Sequence, residues 1–180
     1  LIPGLLDGNG LNVLLKLYEK HKLHFDGPFH TSHFSADVDY KREVHNAIAK
    51  EVFEKAKTYL KDYMPLFGNF MIKNPNQDAG MDLHADWTYV DENLHTSVAI
   101  WVPLIDVNEE NGCFGLIEGS HEVTNLIRGP LIQQSSRDRD HIWAKKFGKL
   151  IPMNAGDAII YTHRLLHYSP PNKSTTTRPA

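Results

Sequence analysis

Apolar residues along the first third of the chain recur every third or fourth position, and the rest of the chain abandons that spacing. Over 12–23, Val13, Leu14, Leu17 and Tyr18 fall on one helical face. A longer run over 37–63 repeats the pattern with Val44, Ile48, Val52, Ala56, Tyr59 and Tyr63. Asp37 or Asp39 is placed to cap its start, and Pro65 to close it. Between the two, 25–35 carries Gly27-Pro28 and reads as a loop. From Leu66 onward, short β-like runs alternate with Gly, Pro and Asn. They predict strands over 67–73, 84–89, 97–104, 113–117, 150–153, 158–162 and 166–169. The stretch 137–147 fits a short helix or a lid.

Many short strands so punctuated predict a mainly β fold, a sandwich or barrel, rather than an alternating parallel one. The expectation is a single domain over 1–180, with a helical part, 1–65, packed on a β core, 66–180. A length of 180 residues is enough for one sizeable core.

Composition narrows the function classes. A hydrophobic fraction of 41% with 23% charged residues is that of an ordinary globular protein. The net charge of −3, with Lys and Arg scattered, leaves no basic footprint for nucleic acid or an anionic membrane. No apolar run approaches the ~20 residues that span a bilayer. Cys113 is the one cysteine, so no internal disulfide forms. With no basic region in 1–10, this leads to the expectation of a cytoplasmic protein acting on a small-molecule substrate, without nucleic-acid or membrane partners.

The chemistry begins at His84-Ala85-Asp86. On a strand, residues two apart share a face, so an imidazole and a carboxylate can grip one ion. Alone, such a pair also fits an exposed polar strand start. His167, at the end of a later predicted strand, completes a set of two His and one carboxylate. That set suits non-haem Fe(II) and leaves coordination positions open for O₂ and a cosubstrate. A structural zinc site would ask for more thiolates, and Cys113 has no partner. Arg178, eleven residues past His167, offers a planar fork for a carboxylate, as a 2-oxo acid chelating iron would require. Ser169 shares the face of His167 and adds a hydroxyl. His163 rivals His167, being four residues away on the same face.

Several short fragments together resemble the phytanoyl-CoA dioxygenase family of Fe(II)- and 2-oxoglutarate-dependent oxygenases. They are Lys73-Asn-Pro, His84-Ala-Asp86-Trp-Thr-Tyr89, Trp101-Val-Pro103-Leu104-Ile-Asp106, Asn111-Gly112-Cys-Phe, Glu118-Gly119-Ser120-His121, Gly156-Asp157, and His167-Tyr-Ser169-Pro-Pro-Asn172-Lys-Ser174 with Arg178. The resemblance implies a double-stranded β-helix, or jelly roll. It implies that His84, Asp86 and His167 are iron ligands, that Arg178 anchors the distal 2-oxoglutarate carboxylate with Ser169 as helper, and that Trp101 and Asn69 line the cosubstrate pocket. It favours His167 over His163, since His167 alone has Ser, Asn and Arg at the family's spacing. Ala85 stands where the family often has Gln. Family relatives that halogenate replace the carboxylate ligand by a small residue, so Asp86 points to hydroxylation, with release of succinate and CO₂. Two other readings use the same residues: a cupin-like metal-dependent isomerase or hydrolase, and a ligand-binding jelly roll without turnover.

The remaining histidines read as ordinary. His21, His24, His45 and His141 are expected at the surface, His30 and His33 beside a loop, His95 in a turn and His121 ordering a loop. Trp87 and Tyr89 fit cross-strand packing as well as a pocket wall.

Overall fold

Asp7 accepts a hydrogen bond from the Gly10 amide at 2.8 Å and so starts α1, Gly8–His21, with Leu14 and Leu17 turned inward. A computed structural model of the chain describes residues 1–22, 25, 27–75, 79–129 and 137–180, with backbone alone over 137–141. The readings of His24 and of the His141 side chain lie outside these residues.

Asp37 caps α2, Val38–Ile48, through the Tyr40 amide at 2.9 Å. The helix continues as one wide π turn, Ala49–Phe53, and finishes as α3, Glu54–Ala56. It therefore stops well short of Tyr63. Lys57, Tyr59 and Leu60 bond back to Phe53 and Ala56 in a closing turn, and Tyr59 is exposed. The turn chemistry, not Pro65, ends the run.

The stretch expected as a loop holds a strand, β1, Phe29–Thr31, and a 3-10 turn, Ser32–Phe34. Strand β1 exists because β2, Met71–Lys73, lies beside it; β2 pairs in turn with β9, Arg178–Pro179. A second sheet orders β3 (Met81–His84), β8 (His167–Ser169), β5 (Phe114–Leu116) and β6 (Lys149–Ile151) side by side, all antiparallel neighbours. A third joins β4, Val98–Trp101, to β7, Ile159–Thr162. The undecided stretch is helical: α4, Arg137–Phe147.

This is a mainly β jelly roll with flanking helices, as the sequence predicts, but among the described residues its sheets do not close into one barrel. The strands are shorter than predicted, mostly three or four residues, so loops carry more of the site than the pattern suggests. In particular β3 ends at His84, where a strand is expected to begin.

Two apolar cores sit on either side of β2. Ile72 joins Leu14, Leu17, Tyr40, Val44, Val52 and Phe70 beneath the helices. Met71 instead packs toward Trp101, Phe114, Met153 and Ile159 between the sheets. Alternation along the strand thus sends Ile72 to one side and Met71 and Lys73 to the other. Among the described residues no helix is long and apolar enough to cross a membrane.

Candidate metal centre and anion pocket

His84 and His167 are direct partners across the β3–β8 ladder, with ring centroids 4.2 Å apart. Asp86 follows just beyond the end of β3 and turns back toward both rings. Its Oδ1 lies 3.9 Å from His84 Nε2 and 3.8 Å from His167 Nε2. One ligand atom from each residue falls within 4.8 Å of the other two, the one such His/Cys/Asp/Glu cluster among the described residues. The structure thus brings together the three residues singled out from sequence, but Asp86 lies beyond β3 rather than on a strand face shared with His84, and it is His84 and His167 that pair across a ladder.

Both imidazoles are oriented in the same way. His84 Nδ1 sits 2.7 Å from the Asp82 carbonyl, and His167 Nδ1 sits 3.0 Å from the Leu165 carbonyl. A carbonyl only accepts, so each Nδ1 is the donor and each ring turns Nε2 to the shared centre. Burial, then the neighbouring His84, pulls the pKa of His167 down to about 4, so its ring is neutral at pH 7. Phe114 stacks on the His167 ring at 5.3 Å, with an interplanar angle of 7°, and fixes its plane. Tyr161 brings its hydroxyl to 3.4 Å from His167 Nε2.

His163 is buried, with its ring against Tyr89 at 5.7 Å and its Nδ1 without a hydrogen-bond partner. It stands on the cleft wall outside the three-residue cluster.

Arg178 is fully buried, 1% exposed. One terminal nitrogen donates to the Met71 carbonyl at 3.2 Å, and its Cζ lies 5.6 Å from the centroid of the Trp101 ring. Its Nε has no partner. A buried guanidinium with a spare donor is costly without an anion, and that deficit suits a carboxylate ligand. Burial also brings its pKa down to about 10, leaving it charged at pH 7. Trp101 touches Phe114, which stacks on His167, so an aromatic wall connects the guanidinium to the candidate metal ligands.

Lys73, read from sequence only as part of a fragment, proves to be a second buried cation at 0% exposure. Its Nζ donates to the Ser169 carbonyl at 3.0 Å, to Ser169 Oγ at 2.6 Å and to the Pro170 carbonyl. Ser169 spends its own proton on the Gly112 carbonyl at 3.0 Å. Three acceptors around one nitrogen call for an ammonium. Gly112, at φ 81°, is required here: a Cβ would lie 2.5 Å from the Pro170 carbonyl oxygen. Asn69 bonds Thr31 Oγ1 at 2.9 Å from its place on the cleft wall.

The candidate centre opens into a cleft of about 1470 Å³ whose lining includes Phe67, Trp87, Tyr89, Leu94 and Trp101. His21 and His45, expected at the surface, are instead partly buried. His21 bonds Glu43 at 2.8 Å, and His45 Nδ1 accepts the Gly68 amide at 3.0 Å.

A family model described as phytanoyl-CoA dioxygenase (PhyH) matches residues 16–180. The chain belongs to the phytanoyl-CoA dioxygenase family. Within it, the chain is 27% identical over 153 residues to the phytanoyl-CoA dioxygenase domain-containing protein 1 homolog of Dictyostelium discoideum, covering 80% of this chain and 51% of that protein. Phytanoyl-CoA dioxygenase domain-containing protein 1 of Danio rerio matches at 26% over 148 residues, 77% of this chain and 50% of that one. The chain thus spans about half the length of the curated relatives it matches.

Solved structures share the fold. HygX from Streptomyces hygroscopicus, with nickel and 2-oxoglutarate bound, superposes with a TM-score of 0.70 at 16% identity, over 99% of this chain and 78% of that one. The epimerase SnoN, in complex with Fe3+, alpha ketoglutarate and nogalamycin RO, gives 0.68 at 19% identity, over 99% and 74%. At such identities the likeness establishes the jelly roll of this phytanoyl-CoA dioxygenase family member.

Proposed function

We propose that this chain is a non-haem Fe(II)- and 2-oxoglutarate-dependent dioxygenase that hydroxylates an unactivated C–H bond of a small organic substrate, with release of succinate and CO₂. One observation carries the reading: two imidazoles, each with Nδ1–H held by a carbonyl two residues upstream, turn Nε2 toward one carboxylate oxygen. A carbonyl holding Nδ1–H in this way is the usual outer support of a metal-ligating histidine.

His84, Asp86 and His167 would hold Fe(II), which two nitrogens and one carboxylate suit. When bound, the iron supplies the O₂ chemistry that couples oxidative decarboxylation of the 2-oxo acid to oxidation of the substrate. Arg178 binds the distal carboxylate of 2-oxoglutarate, supported by its spare Nε donor. Lys73 adds positive charge, and Ser169 orients the Lys73 ammonium. Trp101 and Asn69 wall the pocket. Phe67, Tyr89 and Leu94 give the substrate an apolar bed and displace water from it. The presence of Asp86 favours hydroxylation. In this reading the whole chain is one domain, since Ile72 of β2, Ile100 of β4 and the helices share a core.

The test is a substrate screen read by succinate formation. Succinate that depends on Fe(II), 2-oxoglutarate and a substrate together supports the proposal. Turnover of a substrate without 2-oxoglutarate would favour a metal-dependent isomerase or hydrolase. Binding of Fe(II) and 2-oxoglutarate with no substrate-dependent succinate would favour a ligand-binding jelly roll.

A further inference from the structure

Away from the ligand side chains, three charged residues tie together the two chain segments that bear them. Arg128 is 8% exposed and spreads its guanidinium over three acceptors. Its Nε donates to the Asp86 backbone carbonyl at 2.7 Å, one terminal nitrogen to the Leu126 carbonyl at 2.8 Å, and the other to Glu92 Oε1 at 2.5 Å. The second oxygen of Glu92 accepts from Arg164 Nε at 3.0 Å, and the Glu92 carbonyl from an Arg164 terminal nitrogen at 3.3 Å. Burial pushes the Glu92 carboxyl up, but the bonds from Arg128 and Arg164 outweigh it and hold the group ionised.

The placement of these bonds matters more than their number. Arg128 grips the backbone of Asp86 itself, and its own amide and carbonyl pair with Thr88, so 86–88 is held along its length. Arg164 lies three residues before His167, in the turn that leads into β8. That turn is pinned separately, by Thr124 Oγ1 on the Arg164 carbonyl and by Ser120 Oγ, which accepts the Leu166 amide at 2.8 Å. Asp86 has no strand partner to fix it, because β3 stops at His84. His84 and His167 are set by the ladder; Asp86 needs another constraint.

We infer that Glu92, gripped by Arg128 on one side and Arg164 on the other, is the positioning residue of the metal centre, setting the Asp86 carboxylate against the two imidazoles. The inference rests on the metal reading above. Glu92 touches neither metal nor substrate in this role; it acts through Arg128 on Asp86 and through Arg164 on the approach to His167. Planar Arg forks suit the role, because each binds two groups at fixed angles, which a Lys does not.

The test is anaerobic titration of Co(II) into the intact chain, parent against Glu92→Gln and Arg128→Lys, reading affinity by calorimetry and site geometry from the visible Co(II) d–d bands. Thermal unfolding of the metal-free proteins is measured alongside. Both variants should bind Co(II) about 10–100-fold more weakly, the effect of losing an outer support of a ligand, with shifted band positions. Arg128→Lys keeps the charge but not the three-way grip, so it serves if Glu92→Gln fails to fold. If both variants lose thermal stability while the folded protein keeps the parent's Co(II) affinity and spectrum, the residues are merely structural and the inference is overturned. A parent that binds no Co(II) overturns the metal reading and the inference with it. A parent that binds, with unchanged variants, overturns the inference alone.

Discussion

Lys73 and Arg178 stand opposite one another across the β2–β9 ladder, both buried, and among the described residues no carboxylate pairs with either. Two desolvated cations side by side oppose each other unless an anion joins them. The neighbouring aromatic wall leads from there to the candidate metal ligands.

Arg178→Ala should raise the KM for 2-oxoglutarate by about 10–100-fold, corresponding to the ~1.5–3 kcal/mol of hydrogen bonds to a charged group. The affinity for Fe(II) alone should hold. Arg178→Lys should not restore the parent value, because a point charge lacks the fork that lies over Trp101 and offers Nε. Initial rates over a range of 2-oxoglutarate and Fe(II) concentrations check this, and an unchanged KM rejects the role.

Lys73 should make 2-oxoglutarate binding pH-sensitive. Burial, then the Arg178 charge, pulls the Lys73 pKa from 10.5 down to about 7, while the three oxygen acceptors around Nζ act in the opposite sense. Above the folded value Lys73 is neutral, so 2-oxoglutarate should bind more weakly as pH rises from about 7 to 9. Binding in that window should take up a proton, seen as a dependence of calorimetric heat on buffer ionisation enthalpy. For the free protein, the unfolded chain keeps the lysine proton to higher pH than the folded one. Lys73 alone therefore makes stability rise with pH above about 7, by at most ~1.4 kcal/mol per unit. Lys73→Met should abolish both slopes.

His84→Ala and Asp86→Ala should each lose more metal affinity than the ~10–100-fold cost of removing an outer support. Both side chains are partly exposed at the cleft, so the fold should survive. Co(II) titration with circular dichroism as a control measures both. Full 2-oxoglutarate-dependent turnover in either variant would reject the centre.

His163→Gln separates the two histidines that the sequence offers. The parent's metal affinity should persist, since the cluster forms without His163. Substrate KM is free to change, because His163 lines the cleft beside Tyr89. Loss of metal binding in this variant and not in His167→Gln would reverse the assignment.

Much of this molecule is legible in local pattern. Asp7 and Asp37 cap helices at positions where a short acceptor precedes an apolar face, a signal confined to a few residues. The alternating runs locate most strands, and His84, Asp86, His167 and Arg178 stand out because a ligand's chemistry resides in its own side chain. Strand β1 is not legible locally, because Gly27-Pro28 precedes three residues that are strand only through β2. The long helix was overextended because apolar spacing carries no information about where backbone carbonyls find other donors. Lys73, Glu92, Arg128 and Arg164 look like solvated charges in the sequence.

By itself, then, the sequence determined which groups could coordinate, which faces would be apolar and what class of fold would result, since these follow from residue type and short-range periodicity. Only the tertiary structure decided that His84 meets His167 across a ladder, that Lys73 and Arg178 are buried opposite one another, and that Arg128, bridged through Glu92 to Arg164, grips the Asp86 backbone. Those facts depend on desolvation and on partners far away along the chain, and neither is encoded in any local window.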